Sequence, residues 1–90
     1  MGDVADAMRA KLASALRPAR LDIVDDSALH AGHAGARAGG ESHFTVIIQS
    51  EAFSGLGRVQ RQRLVMGLLA DELAGAVHAL SIKALAPGEP

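Results

Sequence analysis

One short segment, HFTVIIQS from His43 to Ser50, constrains the fold of this chain more than any other. Its residues Phe44, Val46 and Ile48 point to one side of an extended backbone, whereas the residues between them point to the other. Such alternation predicts a β-strand with one buried apolar face, and that face must be covered by a second layer. The rest of the chain must therefore supply partner strands and apolar cover.

Two amphipathic helices can supply that cover. In the first, apolar residues recur every four positions, and we expect the helix to end at Arg17 because Pro18 disfavours helical geometry in the residue before it. The second is predicted from about Arg58 to Ala74, with Gly75 in the position of a C-terminal cap. The apolar stripe of the first helix is Val4, Met8, Leu12 and Leu16, and that of the second is Leu64, Val65, Leu68, Leu69 and Leu73.

Two further strands complete the predicted sheet. Residues 20–25 alternate between apolar and charged side chains, and residues 77–85 carry His78, Leu80 and Ile82 on one face. The element order helix, strand, strand, helix, strand predicts an antiparallel hairpin followed by a right-handed crossover to the third strand. The expected fold is α+β, a two-layer domain with a three-stranded mixed sheet and both helices on one face.

The composition limits both the chemistry and the compartment. The 90 residues predict a single domain over residues 1–90, with frayed ends at 1–2 and 87–90. The chain has no cysteine, which excludes disulfides and thiolate ligands of its own. A net charge of −1 gives no general attraction to nucleic acid or to an anionic membrane. Because the sequence has no signal-peptide pattern and no long apolar run, we expect a cytoplasmic protein that does not contact membranes.

The sequence contains none of the common catalytic motifs, so a non-enzymatic role is predicted. Asp25 and Asp26 are adjacent and would point to opposite sides of a strand end, which makes them a poor acid–base pair. The string GHAG at residues 32–35 matches the GxxG backbone clamp of KH nucleic-acid domains. That match is weak, because the string lies between two strands rather than between two helices.

Histidines are the candidate metal ligands of this chain. His30 and His33 lie in a segment rich in glycine and alanine, and His78 begins the last strand. His43 alternates outward from Phe44, so we expect it to be structural or solvent-exposed. If His30 and His78 meet, they supply two imidazole nitrogens, fewer than the ligands that zinc requires. Two imidazoles on one iron and thiolates on the other form a mixed iron–sulfur centre, for which a partner would have to supply the sulfur.

Five segments, read in order, resemble the BolA family. They are DDS at 25–27 with His30 downstream, ESHF at 41–44, FSG at 53–55, RQRLV at 61–65 and VHALSI at 77–82. The resemblance covers nearly the whole chain and implies a class II KH-like fold, in agreement with the element order above. Where the family often has Arg-His-Arg on the second helix, this chain has Arg61, Gln62 and Arg63. No imidazole role is therefore expected on that helix.

The resemblance also implies a partner and a cofactor. BolA-like proteins pair with cytosolic monothiol glutaredoxins, and the pair shares a [2Fe–2S] cluster with thiolates from a glutaredoxin cysteine and from glutathione. The family's ligand in the VHAL segment corresponds to His78. Its loop ligand corresponds best to His30, with His33 as a substitute, and the missing cysteine implies the histidine-loop branch. The implied role is iron sensing or cluster trafficking, with the free chain a monomer or weak dimer.

Two other functions stay open from the sequence. The KH-like fold also suits a nucleic-acid-binding transcriptional regulator, whose candidate contacts are Arg58, Arg61, Arg63 and Lys83. The arginines at the start of the second helix are also consistent with a solvated face, or with a docking surface for an acidic partner or a phosphate backbone. A zinc-binding or purely structural domain is the third interpretation.

Overall fold

The computed structural model describes residues 2–26 and 42–89, and its elements follow the predicted order. The α+β architecture predicted from the sequence is confirmed. The bounds are α1 Asp3–Leu16, β1 Arg20–Asp25, β2 His43–Gln49, a 3-10 turn at Glu51–Phe53, α2 Arg58–Leu68, α3 Ala70–Ala74 and β3 Ala79–Leu85.

The central strand of the three-stranded sheet is β2, with β1 on one side and β3 on the other. β1 pairs with it in the antiparallel direction, and β3 pairs in the parallel direction, so that Val46 lies between Ile23 and Ile82. The predicted hairpin and mixed sheet are confirmed. Because of these directions, β1 ends at the same end of the sheet at which β2 and β3 begin.

The core lies between the sheet and the helices, because the apolar face of β2 meets both helical stripes. Phe44, Val46 and Ile48 are buried in one cluster with residues of α1 and α2, so both helices cover the same face. Full burial of a large apolar side chain is worth about 1.5–3 kcal/mol, and this shared cluster is the main source of stability. The other core residues are Met8, Leu12, Leu16, Phe53, Val65, Leu69, Val77 and Ala86.

The first helix ends where the proline predicts. Leu16 is its last residue, Arg17 adopts a left-handed conformation with φ 44°, and Pro18 follows. The buried hydroxyl of Ser50 donates to the Leu16 carbonyl at 2.6 Å and accepts from the Ala52 N–H at 3.1 Å. These hydrogen bonds hold the end of α1 against the end of β2.

The second predicted helix is two helices in the structure, so the prediction of one continuous helix was wrong. At Leu69 the backbone leaves helical geometry (φ −104°, ψ 20°), and its N–H is shared between the carbonyls of Val65 and Met66. Gly67 lowers the helix propensity just before this break, while the Leu69 side chain stays buried in the core. None of the described helices is long and apolar enough to cross a membrane.

The third strand begins later than the prediction of residue 77. Regular pairing starts at Ala79, and His78 lies just outside the strand. The N–H groups of His78 and Ala79 both donate to the Ser42 carbonyl, at 2.7 and 3.2 Å. Because the chain is still turning into the sheet at this point, the His78 side chain is exposed and is not part of the apolar face of β3.

The C-terminal residues, which the sequence predicts to fray, turn back onto α2. The Arg61 guanidinium contacts both carboxylate oxygens of Glu89, at 2.5 and 3.0 Å, and the Ala86 N–H donates to the same carboxylate at 2.9 Å. These hydrogen bonds lower the pKa of Glu89 from its usual 4.5 to about 2. The pair therefore stabilises the fold above pH 4.5, and this contribution is lost as the pH falls through about 2.

Candidate functional site

Both described histidines lie at the end of the sheet where β2 and β3 begin. We call this the histidine end and define it by Asp26, Ser42, His43 and His78. The Asp26 N–H donates to the His43 carbonyl at 2.7 Å, and the Asp26 carboxylate accepts a hydrogen bond from the Thr45 hydroxyl. These contacts fix the end of β1 against the beginning of β2, on either side of residues 27–41.

His78 has a fixed backbone and an exposed side chain. Its N–H donates to the Ser42 carbonyl at 2.7 Å, which attaches it to the beginning of β2. No described side chain forms a hydrogen bond with its imidazole. An exposed imidazole on a fixed backbone has the chemistry of a metal ligand.

His43 lies beside His78, a neighbour that the sequence analysis missed. The centroids of the two rings are 6.3 Å apart and the ring planes differ by 27°. The Nδ1 atom of His43 is 2.9 Å from the Ser42 hydroxyl oxygen, so one of its ring nitrogens is already engaged. The signal that could have found this pair is the parallel register, in which His43 lies opposite Ala79, the residue after His78.

The predicted loop ligands His30 and His33 lie outside the described residues, so their distance from His78 stays a prediction. The structure does fix where their segment is attached. Both attachment points, Asp26 and Ser42, lie at the histidine end, and the Ser42 carbonyl is hydrogen-bonded to His78. His30 follows Asp26 by four residues, a span of at most about 14 Å in an extended chain. The attachment points of the histidine-bearing segment therefore lie at the same end of the sheet as His78.

The donor set at the histidine end suits a metal that is completed by other ligands. In residues 2–26 and 42–89, no three histidine, aspartate or glutamate side chains come together to hold a metal ion. His78 offers one accessible imidazole, and imidazole is a ligand that iron accepts. The histidine-ligated iron of a mixed [2Fe–2S] centre takes two imidazole nitrogens, of which His78 offers one.

Arg61, one of the four predicted nucleic-acid contacts, is largely committed to the fold. Its side chain is only 15% exposed. Its guanidinium donates to the carbonyls of Leu56 and Ala84, at 2.9 and 3.1 Å, in addition to Glu89. In this arrangement Arg61 joins α2, β3 and the C-terminal residues, which leaves little of it for an external phosphate.

The other predicted basic contacts are exposed. Arg58 and Lys83 line a groove of about 620 Å³ between α2 and β3, which we call the α2–β3 groove, together with Arg61 and Glu89. Arg63 is exposed but does not line the groove. The four basic residues therefore do not form one uniform surface, and three of them line the groove together with the Glu89 carboxylate.

The fold and the histidine end together define a class of small α+β domain, in which an exposed histidine precedes the third strand of a mixed sheet. The family model described as "BolA-like protein" matches residues 12–89 of this chain. The chain belongs to the BolA family.

Individual relatives agree with this assignment. BolA-like protein 1 of Mus musculus is 46% identical over 88 residues, which cover 98% of this chain and 61% of the mouse protein. The DNA-binding transcriptional regulator BolA of Vibrio cholerae is 42% identical over 79 residues, covering 88% of this chain and 71% of that protein. The solved structure of the BolA domain of SufE1 from Arabidopsis thaliana superposes with a TM-score of 0.88 at 43% identity, covering 100% of this chain and 99% of that one. This chain thus spans about three fifths of the length of the mouse relative.

Proposed function

We propose that this protein forms a heterodimer with a monothiol glutaredoxin and shares a [2Fe–2S] cluster with it. Its role is iron sensing or cluster trafficking, not catalysis. The observation that carries the proposal is the exposed His78 at the head of β3, bonded to one attachment point of the segment that holds His30 and His33. Membership of the BolA family supports it.

The proposed ligands divide between the two proteins according to their chemistry. Because this chain has no cysteine, the thiolates come from the glutaredoxin and from glutathione. His78 supplies one imidazole nitrogen, and His30, or His33 in its place, supplies the other. When bound, the cluster supplies an iron atom that accepts these nitrogens. The hydrogen bond from His78 to Ser42 restricts the backbone in advance, which lowers the entropy lost on ligation.

Mixing this chain with a cluster-loaded monothiol glutaredoxin tests the proposal. An exchange of ligands on one iron alters its electronic transitions, so the visible absorption and circular dichroism are expected to change until about one equivalent has been added. The same titration into cluster-free glutaredoxin is the control and should give no visible signal. Spectra that stay unaltered with the wild-type chain would contradict the shared cluster.

Nucleic-acid binding is a second candidate function, favoured by the name of the Vibrio cholerae relative. In this chain Arg58, Arg63 and Lys83 are exposed, whereas Arg61 is held by internal hydrogen bonds. Three exposed cations on a chain of net charge −1 are a weak basis for binding a phosphate backbone. The two functions separate in titrations, because DNA binding weakens steeply between about 50 and 200 mM salt. Heterodimer formation should instead depend on the cluster.

A further inference from the structure

The α2–β3 groove has the form of a binding site that is occupied by part of its own chain. The guanidinium of Arg61 meets both oxygens of the Glu89 carboxylate, at 2.5 and 3.0 Å. A planar guanidinium matches a carboxylate in this two-bond geometry and holds it more tightly than a single hydrogen bond would. Glu89 itself is 40% exposed, so solvent and competing ligands can reach it.

The groove carries more positive charge than Glu89 neutralises. Arg58 and Lys83 also line it, and neither forms an ion pair with any residue in the part of the chain that the structure describes. Like charges that line a concave surface reinforce one another and attract anions. A ligand with more than one carboxylate would therefore neutralise the positive charge of this groove more completely than Glu89 does.

The backbone of β3 indicates how such a ligand would bind. β3 is an edge strand, but the Ile82 carbonyl accepts from the Gln62 side-chain amide at 2.9 Å, and the Ala84 carbonyl accepts from Arg61 at 3.1 Å. A peptide that added to the sheet as a fourth strand would need these carbonyls free. Recognition through acidic side chains fits the groove better than strand addition.

We propose that the α2–β3 groove binds an acidic segment of a partner protein through its carboxylates, and that Glu89 is an intramolecular competitor for this site. A protein segment is favoured over nucleic acid because the groove has three cations and one of them is engaged. Strong nucleic-acid binders typically contact about 6–10 phosphates. The groove adjoins residues 82–85, at the opposite end of β3 from His78, so the proposal is independent of the shared cluster.

Ligand exchange, not protonation, is the route by which the site opens near neutral pH. The hydrogen bonds from Arg61 and Ala86 lower the pKa of Glu89 to about 2, so its carboxylate stays ionised. An incoming carboxylate must therefore compete with Glu89 directly. Removing the charge of Glu89 should therefore raise the affinity of the groove for an incoming carboxylate.

The test uses a rhodamine-labelled hexaglutamate peptide and fluorescence anisotropy at low salt. The Glu89→Gln variant is expected to bind this peptide about tenfold more tightly than the wild-type chain. Glu51→Gln is the matched control, because it makes the same charge change at an exposed residue that does not line the groove. Adding Arg58→Gln and Lys83→Gln to the Glu89→Gln variant should abolish the gain.

A second readout covers the possibility that the variants fold poorly. In the wild-type chain, saturating hexaglutamate should shift the Arg61 Nη–H resonances in NMR spectra, because the Nη1 and Nη2 groups exchange the Glu89 carboxylate for one of the peptide. The proposal is overturned if Glu89→Gln binds no better than Glu51→Gln and the Arg61 Nη–H resonances do not move. It is also overturned if rhodamine-labelled hexaglutamine binds equally well, or if a DNA oligonucleotide gains more affinity from Glu89→Gln than the peptide does.

Discussion

Replacing Phe44 with alanine is expected to destabilise the fold by about 3–5 kcal/mol. Phe44 is 2% exposed and lies near the beginning of β2, the central strand, in the cluster that joins the sheet to both helices. The substitution removes a large buried surface and leaves a cavity that its neighbours cannot fill completely. Domains of this size are stable by only about 5–15 kcal/mol, so much of the stability depends on this one ring.

Urea denaturation followed by circular dichroism measures the loss. Met66→Ala is a suitable control because Met66 is 44% exposed on α2 and alanine is a good helix former. We expect that control to change the free energy of unfolding by less than about 0.5 kcal/mol. If the two variants lost similar stability, β2 would not form the centre of the core.

The second large effect is expected for His78→Ala in the complex with cluster-loaded glutaredoxin. This variant should lose most of the change in visible circular dichroism that the wild-type chain produces, because the fixed imidazole ligand is gone. Since the His78 side chain is exposed and makes no hydrogen bond to any described side chain, the free energy of unfolding should change little. Loss of the spectral change without loss of stability would separate ligation from folding.

Variants of the other histidines complete this prediction. One of the two variants His30→Ala and His33→Ala is expected to lose a comparable part of the spectral change. The histidine whose substitution causes this loss is the second ligand. His43→Ala, at a ring 6.3 Å from that of His78, should retain most of it. If His43→Ala behaved like His78→Ala while both loop variants behaved like the wild type, the assignment of a loop ligand would be wrong.

Local patterns were sufficient to predict the fold because each element buries one regular face. The alternation around Val46 gave the central strand, and Pro18 gave the end of α1. The break at Leu69 could not be predicted in the same way, because the apolar stripe continues through it. The beginning of β3 depends on a hydrogen bond to Ser42, and this pairing partner lies far away in the sequence.

The residues of the candidate site could be predicted from the sequence, but the contacts between them could not. His78 was identified as a ligand from its segment, whereas its contact with His43 follows from the register of two parallel strands. The basic character of Arg61 suggested an exposed contact, but Leu56, Ala84 and Glu89 take up its donors. Such partners are set by tertiary structure, because a charge pattern does not show which carboxylate or carbonyl lies next to a guanidinium.

The most direct measurement of the shared cluster is pulsed electron paramagnetic resonance of its reduced form, in a complex where only this chain carries ¹⁵N-histidine. An imidazole from this chain on the iron predicts strong nitrogen couplings that change from ¹⁴N to ¹⁵N character on labelling, and that lose one nitrogen in the His78→Ala variant. A spectrum that is identical with labelled and unlabelled chain would show that none of its histidines binds the iron, and would contradict the account.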